Sequence, residues 1–146
     1  MKNDVKLVFL VAVALLSIVI RLPGLQLVPI DDEAAWVIAM NKEVLDYGAI
    51  PHPPLSVLVY SLFVNVLGHD YCSLRFTAMV FGLLTLVVTY CLANEVYGLR
   101  VARISAVMMA ILFYSILASL QIDMDGSILC FLTVSTLYAY FIYLKS

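Results

Sequence analysis

Residues 54–67 read PLSVLVYSLFVNVL, and Gly68, His69 and Asp70 follow directly. This stretch decides how many times the chain crosses a membrane. A hydrocarbon core ~30 Å thick needs roughly 20 helical residues, with ~17 the lower end. Fourteen apolar residues are too few, so Pro54 to Leu67 is expected to lie along a membrane surface rather than cross. Four other apolar segments are long enough to cross: Val5 to Leu22, Phe76 to Ala93, Ile104 to Leu120 and Ser127 to Leu144.

The charges agree with that count. Basic residues favour the cytoplasmic side of a membrane. Lys2 and Lys6 precede the first span, Arg100 and Arg103 lie between the second and third, and Lys145 follows the fourth. All five share the inner face only if residues 54–67 fail to cross. The chain then runs out, in, out and in, with both ends inside and residues 23 to 75 forming one large outer loop. Arg21 and Arg75 fall at the outer interface against the bias. Basic residues kept there need a reason, and binding an anion is one.

Composition places the whole chain of 146 residues in a membrane. It is 64% hydrophobic and 12% charged, against about 45–50% and about 25% for soluble domains, and its mean hydropathy is +1.07. These values exclude a soluble globule and a disordered chain. With 8 basic and 10 acidic residues, no cationic excess is available to neutralise a duplex, so nucleic acid is not an expected partner. Cys72, Cys91 and Cys130 are odd in number and widely spread, and read as small apolar residues of membrane helices rather than as disulfides or zinc ligands. Ala12-Val13-Ala14 superficially resembles a cleavage site, but it lies inside the apolar run, so the first segment is expected to be an uncleaved anchor. The expected architecture is all-α: one transmembrane domain over residues 1–146, about four spans and interfacial helices in the outer loop.

Within that loop, Pro23-Gly24 breaks the chain after the first span. Ala34 to Tyr47 has the spacing of a helix lying in the interface, with Gly48 as its end. Asp31, Asp32 and Glu33 precede it. Acids at that position cap free N–H groups and complement the helix dipole, and a carboxylate held by a rigid helix end is also a candidate base or metal ligand. The prolines of Pro51-His52-Pro53-Pro54 stiffen the chain on both sides of His52. Asp123 and Asp125 lie at the junction of the last two spans, on the same expected face as Asp32 and Glu33. One reading is a solvated loop with a helix cap. The other is a cation site or an acid/base pair made by two converging acidic clusters.

These residues occur in a characteristic order: Asp32-Glu33, His52-Pro53-Pro54-Leu55, Gly68, Arg75-Phe76, Gly82-Leu83-Leu84, Tyr90 through Val96-Tyr97-Gly98, and Ile122-Asp123-Met124-Asp125. The order resembles the N-terminal part of the polytopic, lipid-phosphate-dependent glycosyltransferases of the GT-C class, among them the protein mannosyltransferases and the lipid A aminoarabinose transferases. The resemblance implies a polyprenyl-phosphate-linked sugar donor and inverting transfer of the sugar to an acceptor that the residues do not identify. It implies a reaction on the extracytoplasmic face of the plasma membrane, or of the ER membrane in a eukaryote. Asp32, with Glu33 beside it, falls on the position of the catalytic base. His52 and Arg75 fall near the donor phosphate. Asp125, with Asp123, falls where an acceptor or a divalent cation, the one cofactor implied, would be held. Members of the class carry further spans and further phosphate-binding cations, so this chain reads as the N-terminal part of a longer module, incomplete for catalysis. The rival reading is a small non-catalytic membrane protein, an assembly or binding subunit.

Overall fold

The computed structural model describes residues 2–26, 54–122 and 124–145. Asp31, Asp32, Glu33, the stretch 34–47, His52 and Asp123 lie outside the described residues, as does the side chain of Asp125. Among the described residues there are six α-helices and no strand. Helix α1 spans Lys2–Arg21 and continues into a 3-10 turn, Leu22–Gln26. Helix α2 spans Pro54–Leu67, α3 Tyr71–Val96, α4 Leu99–Ile111 and α5 Phe113–Ala118. A π-helical turn, Met124–Ile128, leads into α6, Leu129–Lys145. Three stretches are long and apolar enough to cross a membrane: Val5–Gln26, Tyr71–Val96 and Gly126–Lys145. Residues 54–67 form the short helix that their length requires.

The expected third span, Ile104 to Leu120, is corrected by the structure. The helix there starts earlier, at Leu99, and stops at Ile111. Leu112 is extended, with φ −65° and ψ 125°, and α5 begins after it. No proline or glycine stands at the break. A helix also breaks where a side chain enters its i→i−4 ladder, and Arg21 does that here, as described below.

Neighbouring contacts give each helix its direction. Phe9 of α1 lies against Tyr90 near the end of α3, with ring centroids 6.4 Å apart. The Gly24 carbonyl, past the other end of α1, meets Arg75 near the start of α3, so the two helices are antiparallel. Phe9 also lies under the Arg103 guanidinium at the start of α4, whereas Arg21 reaches Met109 and Ala110 near its end, so α1 and α4 are parallel. Phe81 meets Phe131 edge-to-face with ring centroids 5.5 Å apart and Glu95 pairs with Lys145 at 2.6 Å, so α3 and α6 are parallel. Direction therefore alternates along α1, α3, α4–α5 and α6 in the order the charges require. Lys6, Arg100, Arg103 and Lys145 gather at one end of the bundle, and Arg21, Arg75 and the turn Met124–Ile128 at the other.

Two apolar clusters hold these helices. Ala102, Ala106 and Ala110 repeat every four residues, form one face of α4 and are fully buried with Val13, Leu86, Tyr90 and Ala93. Small residues on one face let helix backbones approach closely where burial from water supplies no driving force. The turn that sets α3 against α4 depends on Gly98, whose φ of +87° lies where a side chain is rarely tolerated. At the other end Val57, Tyr60 and Val64 of α2 pack with Leu74, Ile122 and Ile128. Hence α2 is not simply laid on the surface: it buries one face against the bundle. Its last turn closes on Gly68, whose N–H donates to the Val64 carbonyl at 2.9 Å, and Asp70 then caps α3 by accepting from the Ser73 N–H at 2.7 Å.

Candidate functional site

Arg21 and Arg75, the two cations expected at the outer interface, are both buried, at 1% and 4% exposure. Arg21 makes a dense set of bonds. Its Nε donates to Ser119 Oγ at 2.6 Å. Nη1 donates to Ser17 Oγ at 2.5 Å and to the Ala110 carbonyl at 3.1 Å. Nη2 donates to the Met109 carbonyl at 3.2 Å and to Ser115 Oγ at 3.3 Å. In an unbroken helix the Met109 and Ala110 carbonyls would accept from the N–H groups four residues later, at Phe113 and Tyr114. The guanidinium takes those places, and Ser115 Oγ adds a second donor to Met109 at 2.7 Å. A buried carbonyl without a partner is costly in a membrane, and a cation at a helix C-terminus opposes its dipole. Arg21 therefore stabilises the break between α4 and α5. Its hydrogen-bond partners among the described residues are all neutral, so a helix end rather than a bound anion accounts for its position. The signals were Ser17 one turn before it and Ser115 and Ser119 one turn apart, none of which was singled out.

Arg75 sits in the first turns of α3 and donates from Nη1 to the Gly24 carbonyl at 3.3 Å. Its neighbour Leu74 belongs to the same buried cluster as Ile122 and Ile128, which bracket the acidic stretch 123–125. Arg75 and the turn Met124–Ile128 thus lie at one end of the bundle. His52, Asp32 and Glu33 lie outside the described residues.

The segment between α5 and α6 is held at unusually close range. A Cβ on Gly82 of α3 would collide with the Ser119 side chain, and one on Gly24 with the Leu120 side chain. A Cβ on Gly126 would come within 2.7 Å of the Ala118 carbonyl oxygen. Three glycines from three elements therefore press on residues 118–120. Beside them lies a cavity of about 190 Å³, lined among others by Gly82, Thr85, Met109, Ser115 and Ser127. Thr85 and Ser115 donate their hydroxyls to the Phe81 and Met109 carbonyls. Ser127 Oγ is buried without a hydrogen-bond partner among the described residues. The cavity adjoins the π-helical turn that carries Asp125, and π-helical turns occur often at functional sites. Among the described residues no three His, Cys, Asp or Glu side chains are grouped to hold a metal ion.

No curated protein and no solved structure matches this chain. Residues 51–146, well over half of its length, match the family described as dolichyl-phosphate-mannose-protein mannosyltransferase. With an apolar helical bundle that places a buried arginine beside an acid-bearing turn, and with the His52-Pro53-Pro54 stretch inside the matched region, the chain belongs to the dolichyl-phosphate-mannose-protein mannosyltransferase family.

Proposed function

We propose that this chain carries the base and part of the phosphate site of a membrane glycosyltransferase. That enzyme would move a sugar from a polyprenyl-phosphate donor to an acceptor on the extracytoplasmic face. Asp32 takes the proton from the acceptor hydroxyl while its oxygen attacks the anomeric carbon. Glu33 lies beside it in the sequence as the alternative carboxylate. The bond from the anomeric carbon to the phosphate oxygen breaks as the new bond forms, so a single displacement inverts the centre. The lipid phosphate leaves with the bonding electrons and is held by charge-assisted hydrogen bonds from His52 and Arg75. The arginine fork suits phosphate oxygens better than a point charge would. Asp125 and Asp123 orient the acceptor or bind a divalent cation.

One observation supports this reading above the others. Arg75 is an ionisable group buried at the end of an apolar bundle, at the same end as the turn that carries Asp125. Ionisable groups within membrane proteins are expensive and mark functional paths. The test uses the protein in native membranes with a polyprenyl-phosphate mannose donor. Asp32→Asn should lower transfer about 10²–10⁴-fold while donor binding persists. Transfer near the wild-type rate would reject Asp32 as the base.

A further inference from the structure

At the opposite end of the bundle a groove of about 260 Å³ runs between α1 and α4, lined by Phe9, Arg103, Ile104, Val107 and Met108. Ile104 and Met108 are 59% and 48% exposed, so the groove opens on the outer surface of the bundle, where α1 and α4 would meet lipid. Arg103 closes one end of it. Its guanidinium lies over the Phe9 ring at 5.4 Å, and its Nε is buried without a hydrogen-bond partner. Lys6 is one turn before Phe9, and Arg100 is one turn before Arg103, so each shares a helix face with its neighbour. Neither Lys6, Arg100 nor Arg103 has a carboxylate partner among the described residues, since Glu95 is taken by Lys145.

We propose that this groove binds an anionic phospholipid, one acyl chain lying along Phe9, Val107 and Met108 and the phosphate accepting from Arg103. Three observations carry it. The groove is apolar along its length and Arg103, one of the residues that line it, brings a guanidinium beside it, a combination that matches the polarity of a lipid. Arg103 has no carboxylate partner among the described residues, so the outer guanidinium nitrogens are left to donate to a phosphate oxygen. Cation–π contact with Phe9 holds the guanidinium at the mouth, so little ordering remains to oppose binding. Lys6 and Arg100 add the net positive field that separates an anionic lipid from a zwitterionic one. Basic pockets between membrane helices recognise anionic headgroups in this way. The site is independent of the transferase reading and lies at the other end of the bundle from it.

The test is lipid retention by the full chain, purified in mild detergent, offered equal phosphatidylglycerol and phosphatidylcholine of the same acyl chains and weighed by native mass spectrometry. The wild type should retain phosphatidylglycerol in clear preference. Arg103→Gln should weaken that retention about tenfold or more, the size of a charged hydrogen bond. Val107→Trp, which fills the groove and keeps every charge, should weaken it as well. Millimolar inorganic phosphate should not displace the lipid, because it offers no chain. Equal retention of the two lipids by the wild type would overturn the proposal without reference to any variant. Displacement by inorganic phosphate would also overturn it, as would undiminished retention in either variant with helical content unchanged.

Discussion

Arg21 Nε is held 2.6 Å from Ser119 Oγ across 98 positions of sequence, and this bond ties the end of the first helix to the far side of a break in the fourth. The same Ser119 hydroxyl donates a hydrogen bond to the Ile116 carbonyl at 2.8 Å. A cation buried among neutral acceptors links α1, the α4 terminus and α5 into one unit. The Ala110 carbonyl depends on it most, since Arg21 supplies its donor where the helix ladder stops.

Arg21→Ala should therefore destabilise the bundle. Orphaning one buried acceptor costs about 1–3 kcal/mol, and the space left by the side chain adds to that. Arg21→Lys keeps the charge but cannot bridge Ser119, Ala110 and Met109 together, so it should fall between. Thermal unfolding in detergent, followed by helical circular dichroism, orders the three proteins. An alanine variant as stable as the wild type would mean that water or lipid replaces the guanidinium at no cost.

The three glycines facing residues 118–120 should not tolerate alanine equally. The obstacle at Gly126 is a backbone carbonyl oxygen, 2.7 Å from the added carbon, and it cannot rotate away. The obstacle at Gly24 is the far end of the Leu120 side chain, which can change rotamer. Gly126→Ala should cost about 1–3 kcal/mol as an overpacked site, and Gly24→Ala clearly less. Reversal of that order in melting temperature would show that the chain around residue 126 moves more easily than its contacts imply.

Asp70 supplies a pH dependence with a defined sign. Hydrogen bonds from Ser73 hold its carboxyl below the usual carboxylate range. A depressed folded value means that the stabilisation is complete above the unfolded value, about 3.9. It is lost as pH falls through the folded value. Asp70→Ala should cost about 0.5–2 kcal/mol at neutral pH, as lost helix caps do. Asp70→Asn should keep most of the cap and remove this part of the acid sensitivity. An asparagine variant with the wild-type acid profile would assign that profile to other carboxylates.

Sidedness can be read from two exposed positions at opposite ends of the bundle. His69 precedes α3 and Arg100 begins α4, 26 residues of helix apart. With the native cysteines removed, His69→Cys should react with an impermeant maleimide in intact cells and Arg100→Cys should react only after permeabilisation. The reverse pattern would invert the orientation inferred from the basic residues.

The elements and their alternation were legible in the sequence because they follow from length and local composition. Fourteen apolar residues before Gly68 make a short helix wherever the chain is placed, and a run such as Val5 to Leu22 has few stable options in lipid except a helix that crosses. The clustering of Lys6, Arg100, Arg103 and Lys145 at one end also follows from the pattern alone. For the proposed site, the sequence supplied the order Asp32, His52, Arg75, Asp125. Of these the structure describes the side chain of Arg75, and it places that residue at the end where the turn Met124–Ile128 lies. What only the tertiary structure decided is long-range. A hydropathy scan cannot show that Ile104 to Leu120 is broken, because the cause is Arg21, nearly ninety residues away. Nor can it show that Gly82 and Gly126 are obligatory, because the reason is the approach of residues 118 and 119 from another segment. Apolar periodicity specifies helices one at a time. Which backbone carbonyl loses its own donor, and which distant side chain supplies another, is settled only when the helices pack.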